Sequence, residues 1–206
     1  MSSVAWFKDV GIADRPTVGG KGGSLGELTR AGIAVPPGFV VTTQAFEQFL
    51  AALEARASVR ARVAALDPND MTAVTALSEE LRRRVIEEPM PAQVEQAIRA
   101  AHAELCPEGE PVAVRSSATT EDAEDASFAG LQDTFLWVLG ADDMVARVRE
   151  CWGSLYSVES MTYRLKHDFP EEGVAMAVVV QRMVDAMCAG VMFTRSPLTG
   201  DKSVIT

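Results

Sequence analysis

Cysteine is scarce in this chain, and the three cysteines that are present lie far apart. Cys106, Cys151 and Cys188 are odd in number and form no Cys-x-x-Cys pair. This pattern argues against a disulfide framework and against a structural zinc site. We therefore expect three reduced thiols in a cytoplasmic protein, because disulfides are rare in that compartment.

Long apolar runs and excess positive charge are also lacking. No run reaches the roughly 18 apolar residues that span a bilayer. Residues 1–8 have no basic stretch followed by an apolar core, so no secretory signal is expected. The chain has 19 Lys and Arg residues against 29 Asp and Glu residues, a formal net charge of −10. Such a charge repels nucleic acid and anionic membranes, and neither is expected as a partner.

The chain consists of two portions that differ in their sequence patterns. Residues 1–110 begin with a glycine-rich loop and continue with apolar residues at helical spacing. Residues 111–206 combine several strand patterns with one long helical pattern. Helices and antiparallel strands in separate stretches favour an α+β fold, with a helical N-terminal portion and a mainly antiparallel sheet covered by helices.

Apolar residues recur every three or four positions in four stretches, and each stretch predicts a helix. Capping and turn residues mark where these helices begin. The predicted starts are Thr43, Asn69 or Asp70, Pro91 and residue 142, and the last helix resumes after Ser157. The charged residues between the apolar positions are expected to face solvent.

Short apolar runs predict the strands. They cover residues 39–42, 112–114, 133–138, 174–184 and 187–194. So few residues separate the last two runs that they are expected to pair as a hairpin. A further strand is expected to start at Lys202 with no element after it, so the fold is expected to be incomplete at the C-terminus.

The first candidate site is the segment Gly-Gly-Lys-Gly-Gly at residues 19–23. Glycines let consecutive backbone amides converge on an anion, and a following helix would direct its partly positive N-terminus to the same place. Ser24 and Glu27 have capping-box spacing for that helix, and Gly32 is a natural stop. Lys21 adds a full positive charge, although the spacing is not that of a P-loop. The alternative interpretation is a flexible turn with a solvated lysine.

The second candidate site is Arg115, which is predicted to lie at the end of a strand and is followed by hydroxyl residues. An arginine in this position can bind phosphate oxygens with its forked guanidinium. The alternative is an ion pair with Glu121 or Asp122 in a polar loop. Residues 121–125 hold four acids that could bind magnesium or form a solvated loop.

Three blocks of sequence, in this order, resemble the pyruvate phosphate dikinase and phosphoenolpyruvate synthase family. The first block is residues 19–39, with Gly-Gly-Lys-Gly, Leu-Gly-Glu-Leu and Val-Pro-Pro-Gly-Phe. The second is residues 114–134, with Val-Arg-Ser-Ser-Ala-Thr, Glu-Asp, Ala-Ser-Phe-Ala-Gly and Asp-Thr. The third is residues 180–194, with Val-Gln-Arg-Met-Val and Ala-Gly-Val-Met-Phe-Thr. Rifampin phosphotransferases and phenylphosphate synthase are similar in the same blocks.

This resemblance implies an ATP-grasp nucleotide-binding domain. By analogy with the family, Lys21 and Arg115 hold the phosphates of ATP. Gly130 and Thr134 help to seat those phosphates, and Gln181 lies near the adenine. In such enzymes phosphate passes from ATP to a histidine on another domain or subunit, while Lys, Arg and Mg²⁺ position and neutralise the charge.

Parts of the family pattern have no counterpart in this chain. In the family, magnesium ligands and further nucleotide contacts lie downstream of the region that ends here at Thr206, and no segment matches the phosphohistidine motif or the pyruvate-binding barrel. We therefore expect an incomplete ATP site that works with a histidine-bearing domain or subunit, and no metal ligand is assigned. One alternative is a non-catalytic nucleotide-binding or interaction module, a remnant of a longer gene. Another is a helical protein-binding domain based on residues 43–105.

Overall fold

Short apolar runs in both halves of the chain assemble into one antiparallel sheet. The computed structural model describes residues 2–118, 133–203 and 205. Within these residues the strands are β1 (Val4–Trp6), β2 (Gly38–Val41), β3 (Val112–Ala118), β4 (Thr134–Val138) and β5 (Met176–Arg182). Their order across the sheet is β1-β2-β5-β3-β4, and all neighbouring strands are antiparallel. The strand that comes last in the chain is therefore the central one.

Side chains alternate along these strands, which gives the sheet two different faces. On one face, Val114 and Val180 are fully buried in the larger apolar core. On the other face, Val40 and Val179 are buried in a smaller apolar cluster together with Val18. A strand position therefore determines which core its side chain enters.

Helices cover both faces of the sheet. Helix α1 (Arg15–Arg30) contributes Val18 to the smaller cluster. The larger core is built with α2 (Thr43–Ala57), α3 (Val59–Ala64), α4 (Met71–Glu87), α5 (Ala92–Leu105), α6 (Gly140–Ser154) and α7 (Val158–Lys166). Short 3-10 segments occur at Phe7–Asp9, Ile12–Asp14 and Glu171–Gly173. The mixed α+β class is confirmed, and β2 confirms the strand predicted at residues 39–42, whereas β1 is not predicted by the sequence. The division into portions 1–110 and 111–206 stays a prediction.

The apolar stripes predicted for the helices are buried. In the larger core, Trp152 of α6 is fully buried, and its ring centroid lies 5.8 Å from that of Phe46 and 4.9 Å from that of Phe49. Asp70 caps α4 as predicted, since its carboxylate accepts a hydrogen bond from the Ala73 amide at 3.0 Å. The sequence does not predict α3, because six residues are too few to show a helical period.

The predicted hairpin of residues 174–184 and 187–194 is wrong. The first run does form β5, but no strand forms between residues 187 and 194, where the side chains of Met187, Val191 and Met192 are 105%, 78% and 71% exposed. The reason is the sheet order, because β5 is already flanked by β2 and β3 and has no free edge for a hairpin partner. No strand is formed by the described residues 202, 203 and 205 either. In the described part of the chain, no helix combines the length and apolarity needed to cross a membrane.

Protonation of a buried histidine is expected to destabilise the fold in mild acid. His102 of α5 is 6% exposed, and its Nε2 has no hydrogen-bond partner among the described protein atoms. Burial, with a smaller contribution from Arg99, lowers the pKa of His102 in the folded state below its ordinary value of about 6.5. The unfolded chain therefore binds a proton that the native chain does not. The free energy of unfolding should fall as the pH drops below about 6.5, by up to roughly 1.4 kcal/mol per pH unit.

Urea unfolding between pH 7.5 and 5.0 measures this dependence. His102→Gln is expected to flatten the pH dependence of the free energy of unfolding. His167→Gln, which changes an exposed histidine, should retain the dependence of the wild-type chain. An unchanged slope in His102→Gln would show that His102 is not the group responsible.

Candidate functional site

Helix α1 is broken at Gly19, within the segment that the sequence predicts to be a loop. Gly19 has φ 70° and ψ 175°, while the residues before and after it are helical. A second helical segment starts directly after the break, so Lys21 lies in its first turn. The first amides of a helix lack partners within the helix and carry a partial positive charge. The loop prediction is therefore wrong, whereas the predicted helix N-terminus beside Lys21 is present.

Other glycines of this segment allow close packing of α1. A Cβ atom on Gly22 would lie 3.0 Å from the side chain of Val40 in β2. A Cβ atom on Gly26 would lie 2.4 Å from the carbonyl oxygen of Val10. These glycines therefore bring a helix, rather than an open loop, against the sheet and the segment that precedes it.

The two ends predicted for this helix have different outcomes. Ser24 and Glu27 lie inside α1, so the capping box predicted for them is wrong, because the helix already includes the residues before Ser24. Gly32 ends the helix as predicted, with φ 77°. The amide of Ile33 donates to the carbonyl of Leu28 at 3.0 Å, which is the hydrogen bond of a glycine-terminated helix.

Ser117 of β3 connects the sheet to the break in α1. Its hydroxyl donates to the carbonyl oxygen of Val18 at 3.0 Å and accepts from the amide of Gly22 at 3.2 Å. Ser117 is fully buried, and a Cβ atom on Gly19 would lie only 2.1 Å from its carbonyl oxygen. The start of the second helical segment, where Lys21 lies, is therefore in direct contact with β3.

Arg115 lies in the middle of β3, not at its end as the sequence predicts. The hydroxyl residues after it continue the pairing with β5 as far as Ala118 opposite Met176. Arg115 is opposite Val179 of β5 and opposite Thr134 of β4. Residues that are opposite each other share a face of the sheet. Arg115, which is half-buried, and Thr134, which is exposed, are therefore brought together on the face that α1 covers.

Gln181 lies on the same face, two residues beyond Val179 along β5. Its Nε2 donates to the carbonyl of Pro36 at 3.0 Å, and its side chain is buried. The backbone amide of Arg182 donates to the carbonyl of Pro37 at 2.9 Å. The turn at residues 36–37 is therefore held against the end of β5, and Gln181 is fixed within that contact.

Cys151 of α6 lies beside Asp133, the residue directly before β4. Burial raises the pKa of the Cys151 thiol, and the nearby charge of Asp133 adds to this rise. Lys21 acts in the opposite direction. The Cys151 Sγ is 3.9 Å from the carbonyl oxygen of Asp133, the residue directly before Thr134. The position of Lys21 in the site follows from the contact of the break with Ser117.

The candidate site is the face formed by Lys21, Arg115, Thr134 and Gln181, together with the break in α1. Ser117 is opposite Ala177, which lies four positions before Gln181 in β5. At the rise of a β-strand, this distance is about 14 Å. Arg115 lies between these two ends, opposite Val179, with the break before Lys21 on one side and the amide of Gln181 on the other. This arrangement suits an elongated anion with a polar group at its far end.

The remaining predicted site residue, Gly130, lies outside the described residues, as do the four acids of residues 121–125. Among residues 2–118, 133–203 and 205, no group of three or more His, Cys, Asp and Glu side chains could hold a metal ion. No magnesium ligand is therefore assigned among the described residues, and no chemical step is assigned to the metal.

Sequence reasoning missed the contacts of Ser117. The motif shows two consecutive serines after Arg115, but it does not show which of them faces α1. The alternation of β3 gives that signal, since Ser117 shares a face with Arg115 while Ser116 faces the opposite core. The bonding partners of Ser117, Val18 and Gly22, are 99 and 95 residues away along the chain.

Comparison with known proteins identifies the family. Residues 15–206 match the family model described as pyruvate phosphate dikinase, AMP/ATP-binding domain. A probable phosphoenolpyruvate synthase of Staphylothermus marinus is 42% identical over 208 residues, which cover 98% of this chain and 25% of the relative. The phosphoenolpyruvate synthase of Pyrococcus furiosus is 36% identical over 238 residues, with 98% and 29% covered. A rifampicin phosphotransferase of a Streptomyces species is 42% identical over 203 residues, with 97% and 23% covered.

The matches cover different shares of this chain and of its relatives, and this difference limits what they show. Nearly the whole chain is matched, but it spans only 23% to 29% of the length of these three relatives. The activity of a complete relative is therefore not transferred to it. The resemblance noted in the sequence is confirmed, and the chain belongs to the family of the pyruvate phosphate dikinase AMP/ATP-binding domain.

Proposed function

We propose that this chain binds ATP as the nucleotide-binding part of a dikinase-type phosphotransferase with an ATP-grasp-like site. The observation that supports this most directly is that Arg115 and the helix N-terminus that carries Lys21 lie on one face of the sheet, since Ser117, which contacts the break before Lys21, is two residues from Arg115 in β3. A glycine-rich helix start with a nearby lysine and arginine is suited to phosphate oxygens. In this proposal the phosphates lie between Lys21 and Arg115, and Thr134 donates its hydroxyl to them. The adenine lies towards Gln181.

The chemistry proposed for these residues is positioning and neutralisation of charge. Phosphoryl transfer places negative charge on the oxygens of the transferred group, and fixed cations and amides lower the barrier by stabilising that charge. Lys21 supplies a point charge, whereas the planar guanidinium of Arg115 can bind two oxygens at once. A half-buried location strengthens both interactions, because solvent screens them less than on an open surface.

We further propose that the phosphate passes to a histidine on another domain or subunit, and that Mg²⁺ accompanies the nucleotide. The proposal of a separate histidine-bearing part is supported by the length of the relatives, because this chain spans a quarter or so of a phosphoenolpyruvate synthase. A non-catalytic nucleotide-binding module would share the first step, ATP binding, and would lack the transfer.

A thermal unfolding titration with Mg-ATP tests the binding step. Ligand at about one hundred times its dissociation constant stabilises the native state by roughly 2.7 kcal/mol, which raises the melting temperature by several degrees in a domain of this size. Lys21→Ala and Arg115→Ala should each lose most of this rise while the unliganded melting temperature stays near that of the wild-type chain. Each removes a charge-assisted bond worth about 1.5–3 kcal/mol.

Lys8→Ala is the matched control, since it removes an exposed lysine elsewhere and should keep the full response to Mg-ATP. A wild-type chain whose melting temperature does not change at millimolar Mg-ATP would contradict the proposed function. Binding without phosphohistidine formation, in a radiolabel assay with a histidine-bearing partner, would favour the non-catalytic module.

A further inference from the structure

The break in α1 is filled by a side chain from the sheet. In a continuous helix the carbonyl of residue 18 accepts a hydrogen bond from the amide of residue 22. Here the hydroxyl of Ser117 donates to the Val18 carbonyl at 3.0 Å and accepts from the Gly22 amide at 3.2 Å. A hydroxyl has one proton to donate and lone pairs to accept, so one serine can satisfy both groups. Ser117 thus replaces one helical hydrogen bond, between residues 18 and 22, with a bridge through β3.

Gly19 makes this insertion possible. A side chain at residue 19 would place its Cβ atom 2.3 Å from the Ser117 Oγ and 2.1 Å from the Ser117 carbonyl oxygen. The backbone of Gly19 therefore occupies space that only a glycine leaves open. A side chain inserted into the helical ladder is one of the few identifiable causes of a sharp helix kink. Both partners of the bridge, Val18 and Gly22, are buried, so water does not compete for these bonds.

Ser117 also connects the two parts of the chain that carry the cations of the candidate site, Lys21 and Arg115. Ser117 lies two residues beyond Arg115 on the same face of β3, and its bond to Gly22 holds the residue directly after Lys21. Because the bridge joins the first turn of the second helical segment to β3, movement of that turn would change the separation of Lys21 and Arg115.

We propose that Ser117 is a positioning residue for nucleotide binding, which holds Lys21 in register with Arg115 so that both can bind the same phosphate group. The inference rests on the proposed function and names a residue whose hydroxyl bonds to the backbone of α1. Loss of the hydroxyl should leave both cations in the chain but misplace Lys21. The triphosphate should lose affinity, and adenosine should not.

The test compares the affinity of Mg-ATP and of adenosine for the 206-residue chain and its variants by calorimetry. Ser117→Ala should weaken Mg-ATP binding by about tenfold or more, the effect of losing one bond to a charged group. Its affinity for adenosine should change by less than about twofold, a difference of only a few tenths of a kcal/mol. Ser116→Ala is the matched control. It removes a buried serine hydroxyl from the same strand, but that hydroxyl faces away from α1 and donates to Asp133 at 3.1 Å.

A double-mutant cycle separates positioning from a general loss of stability. If Ser117 acts through Lys21, the double variant Ser117→Ala/Lys21→Ala should bind Mg-ATP no more weakly than Lys21→Ala alone. Losses that add in the double variant, or an equal loss of affinity for adenosine and Mg-ATP in Ser117→Ala, would overturn the inference.

Hydrogen exchange gives a readout that needs no nucleotide. The Gly22 amide should exchange at least about tenfold faster in Ser117→Ala than in the wild-type chain, since local opening governs its protection. In Ser116→Ala the Gly22 amide should exchange at the wild-type rate. Unchanged protection of Gly22 in Ser117→Ala would overturn the positioning role by itself. A wild-type chain that binds no Mg-ATP would instead overturn the proposed function.

Discussion

Gly19→Ala is expected to lower the free energy of unfolding by more than about 3 kcal/mol, the largest loss that we expect from any single glycine of this chain. Two effects combine at this position. The backbone at φ 70° and ψ 175° lies in a region that is nearly restricted to glycine and costs about 1–3 kcal/mol for other residues. The added Cβ would also lie 2.1 Å from the Ser117 carbonyl oxygen, so β3 or α1 must shift.

Two other glycines serve as controls that separate these effects. Gly32 also has a positive φ, 77°, but a Cβ there meets no atom within 4 Å, so Gly32→Ala reports the cost of a positive φ at a helix end without a steric clash. Gly173 has open space and no positive φ, and Gly173→Ala should be close to neutral. Urea unfolding gives the free energy of unfolding for all three variants. If Gly19→Ala were no more destabilised than Gly32→Ala, close packing of the break on Ser117 would not be a source of stability.

Glu171→Ala is expected to destabilise the chain by about 3–5 kcal/mol, because it leaves a buried guanidinium without its carboxylate. The side chains of Arg164 and Glu171 are 3% and 5% exposed and form two bonds, at 2.8 Å and 3.3 Å. Arg164 also donates to the Leu155 carbonyl and to the Ser160 hydroxyl, both at 2.8 Å. The pair therefore fixes the path of the chain from α7 towards the central strand β5.

Glu172→Ala is the matched control, since it removes the exposed neighbouring carboxylate and should change the free energy of unfolding by less than about 0.5 kcal/mol. The double variant Arg164→Met/Glu171→Leu removes both charges and should be more stable than Glu171→Ala, because no unpaired charge stays buried. Urea unfolding again supplies the values. A small loss in Glu171→Ala would mean that solvent reaches Arg164 and that the pair does not stabilise the turn before β5.

Much of the fold could be predicted from local patterns. The helical stripes that include Phe46 and Phe49, and the cap at Asp70, depend on residues a few positions apart, where periodicity and capping act directly. The pairing of the strands could not be predicted in this way. The hairpin expected after residue 184 is wrong because β2, from the other end of the chain, occupies the edge of β5 that a hairpin partner would need.

In the candidate site, too, some features could be predicted from the sequence and others could not. The sequence by itself determined the family, because three blocks that include Lys21 and Arg115 occur in the same order as in the family. A chance match of all three blocks is a poor explanation. Only the tertiary structure decided that the glycine segment is a broken helix, that Arg115 lies within a strand, and that the Ser117 hydroxyl fills the break. These outcomes depend on hydrogen bonds across 95 and 99 residues and on a single close approach of two backbones. A local pattern carries no information on such contacts, since they exist only once α1 lies against β3.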